Sequence, residues 1–122
     1  MKHVVIVDDQ AEMTTLLERF YKKIDGINIK TFNDPQRAAA YITTREVDLV
    51  VTDITMPKMD GLELLQEIKA LKPTLEVIMI TAEASLERLL KSHKHNAYNF
   101  ISKPINLFEL EQISKKILSL QK

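Results

Sequence analysis

"KHVVIVDDQ", residues 2–10, is an apolar and mostly β-branched run that stops at two adjacent acids. How these residues pack decides the fold. Four successive aliphatic residues, Val4 to Val7, leave no polar face to turn toward water, so the strand they form must be covered on both sides. Comparable runs recur as "INIKTF" (27–32), "VDLVVT" (47–52), "LEVIMIT" (75–81) and "YNFIS" (98–102), each separated from the next by a stretch of helical pattern. In the first of these stretches Met13, Leu16, Leu17, Phe20, Tyr21 and Ile24 predict one apolar helix face. Asp34 before Pro35 predicts a capped helix start. Asn106 with Glu109 predicts a capping box ahead of an inward stripe of Leu110, Ile113, Ile117 and Leu120.

Strict alternation of strand and helix points to an α/β, doubly wound, five-stranded parallel sheet with helices on both faces. Polar interruptions at Asn28, Lys30, Asn99 and Ser102 place the second and fifth strands at the edges, and the order 2-1-3-4-5 satisfies this. In that order the first and third strands diverge at a switch point, and their C-terminal ends open a crevice.

Composition narrows what such a crevice is for. A chain of 122 residues is expected to form one domain, spanning 1–122. Lys and Arg balance Asp and Glu at 17 each, so no net field favours direct nucleic-acid binding or a membrane surface. There is no cysteine and no apolar stretch of membrane-spanning length, and a strand starting at His3 leaves no room for a signal peptide; a cytoplasmic location is expected. The only glycines, Gly26 and Gly61, can build neither a GxGxxG turn nor a P-loop.

The residues that end the strands carry the chemistry: Asp8 and Asp9, Asp53, Thr81, and Lys103 just past the last strand. Two unit charges about 4 Å apart repel by roughly 4 kcal/mol at an effective dielectric near 20, so carboxylates gathered in one crevice need positive charge. Lys103 supplies one such charge. A hard divalent cation, Mg²⁺ with Mn²⁺ as a substitute, can supply the rest. Asp53 is then placed to attack phosphorus and become an acyl phosphate, with Mg²⁺, the Lys103 ammonium and the Thr81 hydroxyl as ligands of the phosphoryl oxygens.

The motifs "VDD" (7–9), "DITMPKMDG" (53–61), "ITA" (80–82) and "KP" (103–104), in this order and spacing, are similar to those of the receiver domain of two-component response regulators. The similarity runs over residues 2–121 and implies a flavodoxin-like (CheY-like) fold. It implies that Asp53 accepts a phosphoryl group from a sensor histidine kinase or a histidine phosphotransfer protein. Asp9 and Asp53 would bind Mg²⁺ directly with the backbone carbonyl of Thr55, and Asp8 largely through water. Thr81 and Phe100 match the family's switch pair, and Lys103 pairs with the phosphate across a cis Lys103–Pro104 bond. Thr55 and Glu83 match positions that tune dephosphorylation. The implied protein is not an enzyme acting on other molecules but a phosphoacceptor that catalyses its own phosphorylation and dephosphorylation. Its output surface would be the fourth helix, fifth strand and fifth helix, roughly residues 84–121, which could also form a phosphorylation-dependent homodimer. Asn96 stands where glycine is frequent, and Phe100 where tyrosine is frequent.

Each assignment has a plainer rival. Asp8 and Asp9 alone would read as a helix cap and a solvated acid, Lys103 as a surface lysine, and Phe100 as core. His93 and His95, two apart on a helix, suit a solvated face better than a metal pair. Met56 and Met59 read as packing residues of the loop after Asp53. A Mg²⁺-dependent aspartyl phosphatase would carry a DxDxT pattern, whereas Asp53 is followed by Ile54 and Thr55. A receiver-like module that binds partners without phosphorylation is the other rival. No output domain is expected within residues 1–122, so the target is either a separate protein or an effector domain beyond this sequence.

Overall fold

The computed structural model describes residues 1–53, 56, 59, 61–81 and 99–120, and all of the following refers to these. Thr55, Glu83, His93, His95, Asn96 and the expected fourth helix lie outside the described residues, as does the side chain of Thr81. The elements in chain order are β1 (Lys2–Val7), α1 (Ala11–Lys22), β2 (Ile27–Phe32), α2 (Pro35–Thr44), β3 (Leu49–Asp53), α3 (Gly61–Leu71), β4 (Glu76–Thr81), β5 (Asn99–Ser102) and the C-terminal helix α4 (Leu107–Leu118). The five strands form one sheet in the order β2-β1-β3-β4-β5, and every neighbouring pair is parallel. Order, direction and edge strands follow the sequence pattern.

Alternation along the strands sorts the core into two layers. Val5, Val7, Val50, Val77 and Met79 pack with Ala38, Ala39 and Ile42 of α2 and with Leu64, Leu65 and Ile68 of α3. Their neighbours Val4, Ile6, Leu49, Val51, Ile78 and Ile80 point the other way, onto Leu17 and Tyr21 of α1 and Leu110 and Leu118 of α4. Both faces of the central strands are therefore dry, and each buried aliphatic side chain contributes about 1.5–3 kcal/mol. Met56 is buried in the α2/α3 layer and Met59 packs against it, as expected of that loop.

Three details depart from the pattern read along the chain. β3 begins at Leu49, two residues later than the apolar run, because Asp48 bonds sideways to β1: its Oδ2 accepts from the His3 N–H at 2.7 Å, and its own N–H donates to the His3 carbonyl at 2.8 Å. Leu16 is 45% exposed, whereas Leu17 and Tyr21 are buried. Adjacent helical residues point about 100° apart, so the stripe that faces the sheet through Leu17 and Tyr21 turns Leu16 to its shoulder. In α4 the deepest residues are Leu110, Ser114 and Leu118, while Ile113 and Ile117 are only partly buried.

Ser114 is buried because it has a partner. Its Oγ lies 2.8 Å from the Tyr21 hydroxyl across the interface of α1 and α4. Burial pushes the Tyr21 phenol well above its ordinary pKa, and Phe20 packs edge-on against its ring at 4.9 Å between centroids. Both helices that the sequence caps are capped as expected: Asp34 accepts from the Gln36 N–H at 2.9 Å, and Asn106 from the Glu109 N–H at 3.0 Å. Gly26 turns the chain into β2 with φ of 86°, a backbone region costly for other residues.

Ser114→Ala should destabilise the protein by about 1–3 kcal/mol, since it strands a buried phenol hydroxyl. Urea unfolding would measure this; the Tyr21→Phe/Ser114→Ala pair should cost less than the sum of the single changes, because the hydroxyls satisfy one another.

Candidate functional site

The sheet register delivers acids to one place. The last registered pair of β1 and β3 is Val7 with Thr52, so Asp8 and Asp53 come level one residue later. Across β4 and β5, Asp53 is registered with Ile80 and Thr81 with Ser102, which puts the backbone of Thr81 and then Lys103 at the same edge. Carboxylate oxygens of Asp8, Asp9 and Asp53 lie within 4.8 Å of one another. Lys103 Nζ donates to Asp53 Oδ2 at 3.2 Å, and the Lys103–Pro104 peptide is cis.

The three carboxylates occupy different surroundings. Asp8 is buried, Asp53 is 7% exposed, and Asp9 is open to solvent. Asp8 Oδ1 accepts from the Gln10 N–H at 2.9 Å, whereas its buried Oδ2 has no hydrogen-bond partner among the described residues. Burial raises the Asp8 pKa to about 6; Asp53 and Asp9 push in the same direction, while the Gln10 N–H and Lys103 oppose them. The α1 N-cap is Gln10, so the doublet is not present to cap that helix.

This donor set fits a hard divalent cation. It consists of carboxylate oxygens, it gathers three acids against the Lys103 ammonium, and it leaves a buried oxygen with no proton donor among the described residues. Asp8, Asp9 and Asp53 are the side chains that could hold Mg²⁺ or Mn²⁺, and the exposure of Asp9 leaves that side open to an incoming group. Such an arrangement could place a carboxylate, Asp53, beside a cation able to neutralise charge on a group it meets.

A supporting residue escaped the sequence reading. Asn33 Nδ2 donates to the Asp8 carbonyl at 2.8 Å and to Thr14 Oγ1 at 3.1 Å, and Thr14 Oγ1 donates to the Ala11 carbonyl at 3.0 Å. Together with the Asp8 N–H bonded to the Phe32 carbonyl, these contacts pin the turn that carries the doublet. The available signal was position: Asn33 directly follows β2 at the edge where the acids gather. Phe100 is half-buried against the α2/α3 layer, in register with Met79.

Comparison with known proteins gives a consistent picture. Residues 4–115 match the family described as response regulator receiver domain. The chain is 32% identical to the transcriptional regulatory protein ZraR of Escherichia coli O157:H7, covering 95% of this chain and 26% of that protein. It is 37% identical to the transcriptional regulatory protein FlgR of Helicobacter pylori, covering 98% and 31%. The chain thus spans about a quarter to a third of the length of these curated relatives. Among solved structures, the receiver domain of NtrX from Brucella abortus superposes with a TM-score of 0.87 at 31% identity, covering 97% of this chain and 99% of that one.

Asp8→Asn should raise the melting temperature in metal-free buffer at pH 7.5. The folded pKa of Asp8, about 6, exceeds its reference value of 3.8, so its penalty is fully present above the folded value and vanishes as pH falls below the reference. The gap between variant and parent, at most about 3 kcal/mol from the size of that shift, should close between pH 7 and pH 4. Thermal melts in EDTA across this range check it; a gap independent of pH would contradict it.

Proposed function

The chain belongs to the response regulator receiver domain family, and on that premise we propose that it is a phosphorylation-activated signalling switch whose phosphoacceptor is Asp53. The observation that carries the proposal is the Lys103 contact to Asp53 Oδ2 beside the convergent Asp8 and Asp9. The donor is a phosphohistidine, on a sensor histidine kinase or a histidine phosphotransfer protein.

An Asp53 oxygen forms a bond to phosphorus as the phosphorus–nitrogen bond of the donor breaks, and the electron pair stays with the imidazole nitrogen, which takes up a proton. Lys103 holds the carboxylate before transfer and then pairs with the phosphoryl oxygens. Burial of Asp8 keeps its charge poorly solvated, and so available to stabilise a cation rather than water. Asp9, Asp53 and the Thr55 carbonyl would hold Mg²⁺, or Mn²⁺ in its place, with Asp8 acting largely through water, and the cation would supply the neutralisation of phosphoryl oxygens that this transfer needs.

Thr81 and Phe100 couple the phosphoryl group to the surface of residues 84–121, the hydroxyl moving toward phosphate and the ring turning inward behind it. Thr55 and Glu83 tune the water that removes the group, so the domain catalyses both its own phosphorylation and its dephosphorylation. The output is a separate target or an effector domain, in keeping with relatives that are named as transcriptional regulators and of which this chain covers 26% and 31%. A phosphorylation-dependent homodimer through the same surface is part of this proposal. The balanced charge of the domain supports a module that does not itself hold nucleic acid or membrane, and a chain without cysteine fits a cytoplasmic place.

Incubation with acetyl phosphate and Mg²⁺ should add one phosphoryl group at Asp53, detected by intact mass and peptide mapping. Asp53→Asn or EDTA should abolish the modification, and Lys103→Ala should slow it on the order of a hundredfold, the cost of losing a preorganised charge. Equal modification of Asp53→Asn would overturn the proposal.

A further inference from the structure

A second feature lies at the opposite side of the sheet from β5. Residues 30–34 line a groove of about 770 Å³ together with Arg37, Ala40, Tyr41, Thr44 and Arg45. Consecutive residues of a strand point to alternate faces, so a groove touching each of residues 30–32 in turn lies along the edge of β2 rather than over one face. Among the described residues β2 pairs with β1 alone and ends the sheet, which leaves its outer row of backbone N–H and carbonyl groups available for another strand. The helical residues, at spacings of three, four, seven and eight, are one outward face of α2.

This corner has its own chemistry. Phe32 and Tyr41 form a tilted aromatic pair with centroids 5.3 Å apart. Lys30 Nζ sits 5.8 Å from the Phe32 centroid and 6.0 Å from that of Tyr41, and Arg45 Cζ sits 5.2 Å from Tyr41. Arg37 adds a third cation, and all three cations are exposed. The acid of the groove is Asp34, whose Oδ1 is engaged in capping α2. Among the described residues, the ion pairs Lys22–Glu18, Lys103–Asp53 and Lys115–Glu111 engage none of these three cations. In a chain of zero net charge this is a locally basic wall, two of its cations, Lys30 and Arg45, already seated against aromatic rings.

We propose that the corner between the open edge of β2 and the outer face of α2 docks an extended acidic segment of a partner protein, which adds to the sheet as a strand. The backbone edge recognises any strand, and the three cations choose an acidic one. Lys30 on the edge also repels a second copy of β2, so the same charges that discourage self-pairing select the partner. This surface is distinct from residues 84–121 and stands whether or not Asp53 is phosphorylated. It touches the acid site through Asn33, which lines the groove and also donates to the Asp8 carbonyl.

The test is titration of the full chain with a short N-acetylated, fluorescein-labelled peptide alternating glutamate with valine, read by anisotropy and by amide NMR shifts. Binding that weakens with salt, with shifts at residues 27–34 and 37–45, is expected. Two charge reversals, Lys30→Glu with Arg45→Glu, should weaken it about five- to thirtyfold, the effect of losing two surface charge pairs. Both residues are exposed, and an unchanged circular dichroism spectrum would show the variant folded. The same peptide with proline at alternate positions should fail to bind, since it cannot donate to the edge. Absence of binding by the acidic peptide, equal binding by a lysine–valine peptide, undiminished binding by the proline peptide, or displacement by ATP with the same shifts would each overturn the proposal, the last marking an anion site instead.

Discussion

Three carboxylates whose oxygens lie within 4.8 Å of one another are the constraint on which the rest of this molecule turns. Their mutual repulsion favours separation, and in an unfolded chain they would separate. The folded sheet keeps them together because their positions are set by strand register, which is enforced by two dry layers of aliphatic side chains. Asp8 records the cost directly: it is buried, one oxygen has no proton donor among the described residues, and its pKa rises to about 6. Lys103 offsets part of the charge at Asp53, leaving a site whose remaining negative charge a divalent cation is suited to offset.

Rigid parts surround this unfavourable centre. Asn33 and Thr14 hold the backbone of the turn after β1, and the Gln10 N–H holds the Asp8 carboxylate. The Tyr21 to Ser114 contact ties α1 to α4 on one face. Such buried polar contacts add little net energy, yet breaking one leaves its partner stranded, which makes them strong determinants of geometry. Stability stored in the core is thereby converted into precise placement of groups that would otherwise destabilise the protein. The basic corner at β2 is held by the same framework, since the strand that lines it also leads to Asn33.

Much of this was legible before any coordinates. Apolar runs without alternation at Val4 to Val7 and Leu49 to Val51 require burial on both faces, and the polar residues of β2 and β5 mark edges; the observed order β2-β1-β3-β4-β5 is the result. The caps at Asp34 and Asn106 were equally readable because capping is decided within a few residues. Leu16 was misplaced because helical periodicity defines a stripe only to within one neighbouring residue, and packing against the sheet chooses its centre. Ser114 went unnoticed as core because its burial depends on a hydroxyl 93 positions away in the chain.

The division between the two levels follows from range. Interactions decided by neighbours along the chain, namely burial pattern, caps, turn glycine and the list of reactive strand ends, are written in residue order and can be read from it. Interactions decided across the chain cannot: which carboxylate is buried and which is open, that Asn33 rather than a cap holds the Asp8 turn, and that Lys30 and Arg45 meet two aromatic rings beside an edge strand. Those depend on distances of a few ångströms between residues far apart in sequence, and only the packed sheet and its helices set such distances.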